Sequence, residues 1–309
     1  MSPLAASPTA GRRVVVCGDV INDLLVKPAG EITQGSDTPS VIRACPGGAA
    51  ATQAAWMAHL GAQVTFAGRV GAQDAGYHRR ELARFGVDAH LAEDDQAGTG
   101  TIVIMVAPDG ERTMFTDRGA NLRLRRSDLP VGLLDGAAVL HLTGYTFFEP
   151  ALLEVALWLL GQARSRDMAV TIDPASAAFL ARIEPGAFLR WTEGAAVCFP
   201  NRDEAAVLAG DADPVAMAAR LTRHYGVVLL KLGADGCLLA VPGEAPIRIP
   251  AHPAQARDST GAGDAFCGAF MSRWLAAGPD PQTADLIGAT EFAARIAASV
   301  VTRLGGRPW

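Results

Sequence analysis

The chain reads as an α/β protein: a doubly wound, mostly parallel sheet with helices on both faces, plus a small β-sheet lid. Three observations predict this. Short continuous apolar runs of strand length alternate with small-residue stretches of helical spacing, the rhythm of parallel strands joined by crossover helices. A hairpin signal at Pro108-Asp109-Gly110 interrupts that rhythm and marks a separate antiparallel unit. Near the carboxyl end, the turn Asp258-Ser259-Thr260-Gly261-Ala262-Gly263-Asp264, bracketed by two carboxylates, opens an apolar helix.

Taken in order, residues 1–12 are Ser/Pro/Ala-rich and read as a flexible tail ahead of one large α/β domain over 13–309. Val14-Val15-Val16-Cys17-Gly18-Asp19-Val20 is a strand buried on both faces that delivers a loop at its carboxyl end. A punctuated segment follows, and then Pro46-Gly47-Gly48 starts a tightly packed helix that ends at Gly61. Glycine is entropically costly, so the Gly47-Gly48 pair requires an unusual turn or the close approach of a ligand. A strand over 64–71 and a helix near 75–85 continue the βαβ alternation.

Residues 101–106 and 112–116 flank the hairpin turn; with segments near 20–45 they would build the lid from 20–45 and 100–117. The alternation resumes with strands at 138–142, 169–173 and 195–199 and helices at 150–166 and 179–190. Asn201-Arg202-Asp203-Glu204 has the spacing of a capping box. The run from Val227 to Gly233 is a buried strand ending in Lys231, then comes a turn at Asp235-Gly236 and a strand from Cys237 to Val241. A long helix over 284–301 closes the chain.

A net charge of -5 without any basic run argues against a nucleic-acid surface. No run of eighteen apolar residues and no apolar leader core is present, so neither a membrane span nor a secretion signal is expected, and the protein reads as cytoplasmic. Five scattered cysteines without a C-x-x-C, and six histidines without metal spacing, read as structural. There is no G-x-G-x-x-G after the first strand and no G-x-x-x-x-G-K-[ST], which disfavours a dehydrogenase and excludes a P-loop.

The chemistry then concentrates at 258–264. A helix N-terminus leaves backbone N–H groups unpaired and partly positive, and glycines let a phosphate approach them. Asp264 would repel a phosphate, so it makes sense as a base, and phosphoryl transfer needs both an anion cradle and a base. The plain structural alternative is that Asp258 or Asp264 caps the helix. Asp23, past the end of the first strand, sits where α/β sheets bind ligands and can accept substrate hydroxyls, or it caps a turn. Lys231 at a strand end suggests an anionic ligand, although a snorkelling lysine would also fit.

With both glycine motifs in hand, the chain resembles the ribokinase-like (PfkB) family of carbohydrate kinases, from Val14 almost to the end. The run from Asp258 to Met271 meets the family's second signature in full; Gly47-Gly48 and the helix to Gly61 meet the first in part. Thr52 and Ile21 stand where ribokinases carry asparagine, so the resemblance speaks for phosphoryl transfer and not for one sugar. It implies Asp264 as catalytic base and Gly261, Ala262 and Gly263 as the anion hole for the γ-phosphoryl group of ATP. It implies Asp23, Gly47, Gly48 and Thr52 at the acceptor, Asn201 and Glu204 near the phosphates and Mg²⁺ (Glu204 through water), and Lys231 and Gly233 at the nucleotide. Asp258 and Thr260, with Thr302-Arg303-Leu304-Gly305, resemble a loop that holds K⁺ in some members. Arg118 and Asn121 follow the hairpin and can reach substrate, for instance a carboxylate.

The expected activity is ATP-dependent phosphorylation of a hydroxyl on a small sugar or sugar acid. Two alternatives remain: a nucleoside kinase of the same family, and a non-catalytic sugar or nucleotide sensor that kept the fold. A lid with an open face would favour a homodimer.

Overall fold

Val14, Val15, Val16 and Cys17 are all buried in the first strand, β1 (Arg13–Cys17), and their alternation sets the layering. Val14 and Val16 enter one apolar layer, and Val15 and Cys17 enter the other. A strand apolar on both faces is stable only between two covering layers. The computed structural model, which describes residues 12–107, 112–210, 212–303 and 305–309, has that arrangement.

After β1 come β2 (Ile21–Pro28), β3 (Ser40–Gly47), α1 (Ala49–His59), β4 (Gln63–Gly71), α2 (Ala75–Ala83) and β5 (Val87–Asp94). The hairpin strands β6 (Thr99–Val106) and β7 (Arg112–Gly119) follow, then β8 (Ala137–Thr143), α3 (Pro150–Arg164), β9 (Ala169–Asp173), α4 (Ala177–Leu180), α5 (Pro185–Thr192) and β10 (Val197–Cys198). The last third holds α6 (Arg202–Ala209), α7 (Pro214–Leu221), β11 (Val227–Lys231), β12 (Cys237–Ala240), β13 (Ile247–Ile249), α8 (Ala262–Ala277) and α9 (Thr283–Val300).

Nine strands form one sheet in the order β13-β12-β11-β10-β9-β8-β1-β4-β5, parallel from β5 through β11 and antiparallel at the β12 and β13 edge. The layer of α1, α2, α8 and α9 covers one face, and α3 to α7 cover the other. A separate four-stranded sheet, β3-β2-β6-β7, grows from the carboxyl end of β1 through Gly18-Asp19-Val20. It is made from the two segments expected for a lid, and its β2 and β6 pair in parallel.

Several local expectations needed correction. The single helix expected over 179–190 is two, α4 and α5, because Pro185 cannot continue a helix and instead starts the second. The strand expected over 195–199 is regular only at Val197–Cys198, although Ala196 and Phe199 still donate to Val170 and Ile172 of β9. β5 was not anticipated, since an edge strand that is half solvated carries polar and charged residues among its apolar ones. The hairpin turn Pro108-Asp109-Gly110 lies outside the described residues, as does the expected tail up to residue 11. Arg12 is docked: its guanidinium donates to Gly278 O and lies over the Trp274 ring. Among the described residues, no helix is long and apolar enough to cross a membrane.

Candidate active site

Gly261 caps α8 in the left-handed region, at φ 72°. A Cβ there would stand 2.3 Å from Gly306 Cα, so glycine is demanded both by the turn and by the chain crossing it. Gly263 and Asp264 fall in the first helical turn, where N–H groups have no intrahelical acceptor. Ala262 N–H donates to Ser259 O at 3.3 Å, a weak bond, and is thereby partly engaged. The turn thus has the left-handed glycine and the helix start that the glycine spacing predicts.

Asp264 is held from behind by Gln53 of α1. Gln53 Nε2 donates to Asp264 Oδ1 at 2.9 Å and to Asp173 Oδ2 at 3.0 Å. Its amide orientation follows: two carboxylates face the nitrogen, so Oε1 faces His141 Nε2, 2.5 Å away. Oε1 can only accept, hence His141 carries its proton on Nε2, and Nδ1 accepts from the Thr171 hydroxyl at 2.8 Å. Burial keeps this imidazole neutral, lowering it to about 4. Asp264 moves the other way. Burial and the nearby Asp173 charge push its carboxyl up to about 7, against the pull of the Gln53 hydrogen bond and Lys231. Oδ2 has no hydrogen-bond partner among the described residues.

Gln53 reaches Asp264 because α1 and α8 lie unusually close. A Cβ on Gly268 would stand 2.4 Å from Trp56 Cβ and 3.0 Å from Gln53 O, so glycine at 268 permits the contact. The helix start is fixed as well. Asp19 Oδ2 and Oδ1 accept from Ala49 and Ala50 N–H, each at 3.1 Å, a cap supplied from the end of β1. Gly48 (φ 90°) is needed for the same junction, since a Cβ would meet Asp19 O at 2.6 Å. Thr52 is buried in α1 just ahead of Gln53, the residue that α1 sends to Asp264.

Lys231, at the carboxyl end of β11, pairs with Asp173 at 3.1 Å, and its Nζ lies 3.5 Å from where a Cβ would stand on Gly263. Burial alone would lower its pKa, but Asp173 and Glu204 outweigh burial and raise it, so the ammonium stays charged against the cradle. Asn201 and Glu204 form the capping box expected of them: Asn201 Oδ1 accepts from Glu204 N–H at 2.9 Å, and Glu204 Oε2 accepts from Asn201 N–H at 2.8 Å. Glu204 also faces the Lys231 and Asp173 cluster; burial chiefly raises its carboxyl to about 7. Gly233 has open space around it, at φ 61°.

At the other end of the site, Asp23 on β2 occupies the room that glycine leaves at Gly47, where a Cβ would stand 2.1 Å from Asp23 Oδ2. Burial and the Asp19 charge raise Asp23 to about 7, with Arg307 pulling it back. Asn121 is engaged structurally: Nδ2 donates to Val20 O and Arg118 O, and Oδ1 accepts from Val20 N–H. Arg118 turns toward Asp19, 3.7 Å away, and over the Tyr145 ring at 4.2 Å. These two side chains line a cavity of about 10 Å³, no larger than one water. Asp258 ties two loops together, accepting from Thr260 N–H and hydroxyl through Oδ1 and from Gly305 N–H through Oδ2. Leu304 of that loop lies outside the described residues.

Sequence reasoning missed Gln53, His141, Asp173, Asp19 and Arg307. Asp19 and Asp173 did carry a signal, an acid at the carboxyl end of a buried strand. Gln53 and His141 sit inside apolar runs and become visible only when the fold joins them.

Comparison with known proteins gives the family. Residues 12–308 match the family model described as pfkB family carbohydrate kinase. A fructokinase from Klebsiella pneumoniae is 30% identical over 279 residues, covering 87% of this chain and 86% of that protein. A fructokinase double mutant from Vibrio cholerae O395, solved with fructose, ADP and potassium, is 26% identical with a TM-score of 0.79, covering 96% of this chain and 94% of that one. Adenosine kinase from Sinorhizobium meliloti shares the fold, with a TM-score of 0.84 at 22% identity, covering 97% and 96%. The chain belongs to the pfkB family of carbohydrate kinases.

Proposed function

We propose that this phosphotransferase moves the γ-phosphoryl group of ATP to a hydroxyl of a small sugar or sugar acid, with Asp264 as the general base. One observation carries the reading. A carboxylate held near 7, with one oxygen fixed and the other open, stands on the first turn of a helix beside a charged lysine.

In this mechanism Asp264 Oδ2 accepts the proton of the attacking hydroxyl, while Gln53 fixes the direction of the carboxylate through Oδ1. The Gly261-Ala262-Gly263 turn and Lys231 face the transferring group. Asp23, with the room left at Gly47, orients the acceptor hydroxyls. The four-stranded sheet acts as a lid that excludes water.

Among the described residues, no group of three or more His, Cys, Asp or Glu could hold a metal ion. That suits a nucleotide-borne Mg²⁺, which keeps several waters and touches few carboxylates. The buried Glu204, beside Lys231 and Asp173, is the residue to meet it through water. Magnesium-bound ATP supplies the phosphoryl group and a divalent charge that offsets charge building on it. We propose a potassium ion beside Asp258 and Thr260, where Asp258 also meets Gly305; the similar Vibrio cholerae fructokinase was solved with potassium bound. An ATP-dependent enzyme whose five cysteines are all free suits the cytoplasm.

The test is a coupled ADP-release assay over pentoses, hexoses, aldonic and keto-deoxy acids and nucleosides. Acceptor-dependent release with a sugar or sugar acid is expected. Release with nucleosides alone would make the chain a nucleoside kinase, and release with none would favour a sensor.

A further inference from the structure

Arg307 has no role in the chemistry above, yet it is built into the acceptor end. Its backbone is fixed on one side by Gly306, whose carbonyl accepts from Trp56 Nε1 at 2.7 Å and whose Cα crosses Gly261, and on the other by buried Pro308. Its Nη2 donates to Gly47 O at 3.0 Å, which brings the guanidinium against the glycine that makes room for Asp23. Nε and Nη1 are shielded from solvent and have no hydrogen-bond partner among the described residues. The charges around it are Asp23, Asp264 and Glu81, with Tyr77 alongside.

A guanidinium presents five N–H donors and stays charged, and leaving two of its nitrogens buried and unpaired is costly unless something fills them. Burial lowers Arg307 to about 10, which still leaves it cationic at neutral pH. Asp23 does not fill the gap; it lies beyond ion-pair distance and is itself raised by burial. Arg118, the arginine that the sequence offers for a carboxylate, is turned to Asp19 and Tyr145 and leaves one buried nitrogen, Nε, without a partner, against two in Arg307. A ligand that satisfies Arg307 and Asp23 together needs an anionic oxygen for the first and hydroxyls for the second. The same guanidinium lies within electrostatic reach of Asp264, so an anionic group at Arg307 and a hydroxyl at Asp264 can belong to one small molecule.

We propose that Arg307 recognises an anionic group on the acceptor, and that the acceptor is therefore a small polyhydroxy compound bearing a carboxylate or phosphate. This rests on the kinase reading and narrows its substrate class.

Two measurements on the full chain test it. In the first, kcat/KM is compared between matched acceptors of equal carbon number: an aldonic or keto-deoxy acid, the sugar monophosphate, and the neutral sugar. One anionic class should exceed the neutral sugar at least tenfold, and which one does so distinguishes carboxylate from phosphate. Arg307→Met should lower that anionic-over-neutral ratio by about 10- to 100-fold, acting mainly through KM, while Arg307→Lys keeps part of it. In the second, the same compounds are titrated calorimetrically without ATP, and the anionic one should bind at least tenfold tighter to wild type than to Arg307→Met. Unchanged thermal melting and ADP binding in the variants confirm that they fold.

A neutral acceptor preferred over every anionic counterpart would overturn the inference. So would an Arg307→Met variant that weakens both classes alike, which would make Arg307 a brace between Gly47 and Asp23. If no acceptor releases ADP, the kinase reading fails, and the titration still decides whether Arg307 selects anions.

Discussion

Asp264 stands near 7 because it is withdrawn from water beside a second carboxylate, Asp173, and because a single amide, Gln53, donates to both. A base in that position is half-charged at neutral pH, which matches it to its task. The rate should therefore follow its ionisation: kcat/KM rises as pH is raised and levels off above about 7. Gln53→Ala removes a hydrogen bond that favours the charged form, so the rising limb should move to higher pH and the rate at pH 7 should fall. A purely structural role for Gln53 would lower the rate without moving the limb. The same shift has a cost in stability. Asp264 binds its proton more tightly folded than unfolded, so its contribution is fully present below the unfolded value of about 3.8 and is lost as pH rises through about 7. Asp264→Asn should accordingly melt higher than wild type at pH 8, with the gap shrinking toward pH 5; calorimetry across that window checks it.

At the scale of elements, the site is a meeting of helix N-termini and strand ends, and its tolerance is set where α1 and α8 touch. Gly268→Ala adds a Cβ 2.4 Å from Trp56 Cβ, a contact that no flexible side-chain end can relieve. Overpacking of this kind costs about 1–3 kcal/mol. It should also lower kcat by moving Gln53 from Asp264, readable from denaturant unfolding and turnover on the same sample. This explains how much of the site was legible beforehand. The turn from Asp258 to Asp264 is local, so glycine spacing and the apolar run after it were enough to mark both the cradle and Asp264. Gln53 lies 211 residues from Asp264, and Gly268 reads as one small residue among many. Their roles exist only after parallel strands have stacked two distant helices. The same holds for the Gly47-Gly48 pair. Its need for glycine was evident, but the neighbours that crowd it, the Asp23 carboxylate at Gly47 and the Asp19 backbone at Gly48, were not. The alternation of buried strands and helices was legible almost throughout, failing at the solvated edge strand β5 and at Pro185, where amphipathic pattern and helix continuity give way.

On the scale of the whole molecule, the proposed site draws on two sheets: the large one for the phosphoryl end and the small one for Asp23 and Gly47. The small sheet leaves apolar side chains in water, with Ile42 63% and Phe115 56% exposed. We propose that a second copy covers that face, since exposed apolar patches of this kind mark interfaces. Wild type should run as a dimer by light scattering and Phe115→Glu as a monomer; a wild-type monomer at micromolar concentration would remove the dimer from the account. The proposed chemistry rests on Asp264, and its most direct test is the turnover of Asp264→Ala on the best acceptor at pH 8, with ADP binding measured alongside. A general base contributes about 10² to 10⁴ in rate. The variant should bind ADP like wild type and turn over at less than about one hundredth of its rate, whereas turnover above that level with the nucleotide bound would contradict the assignment.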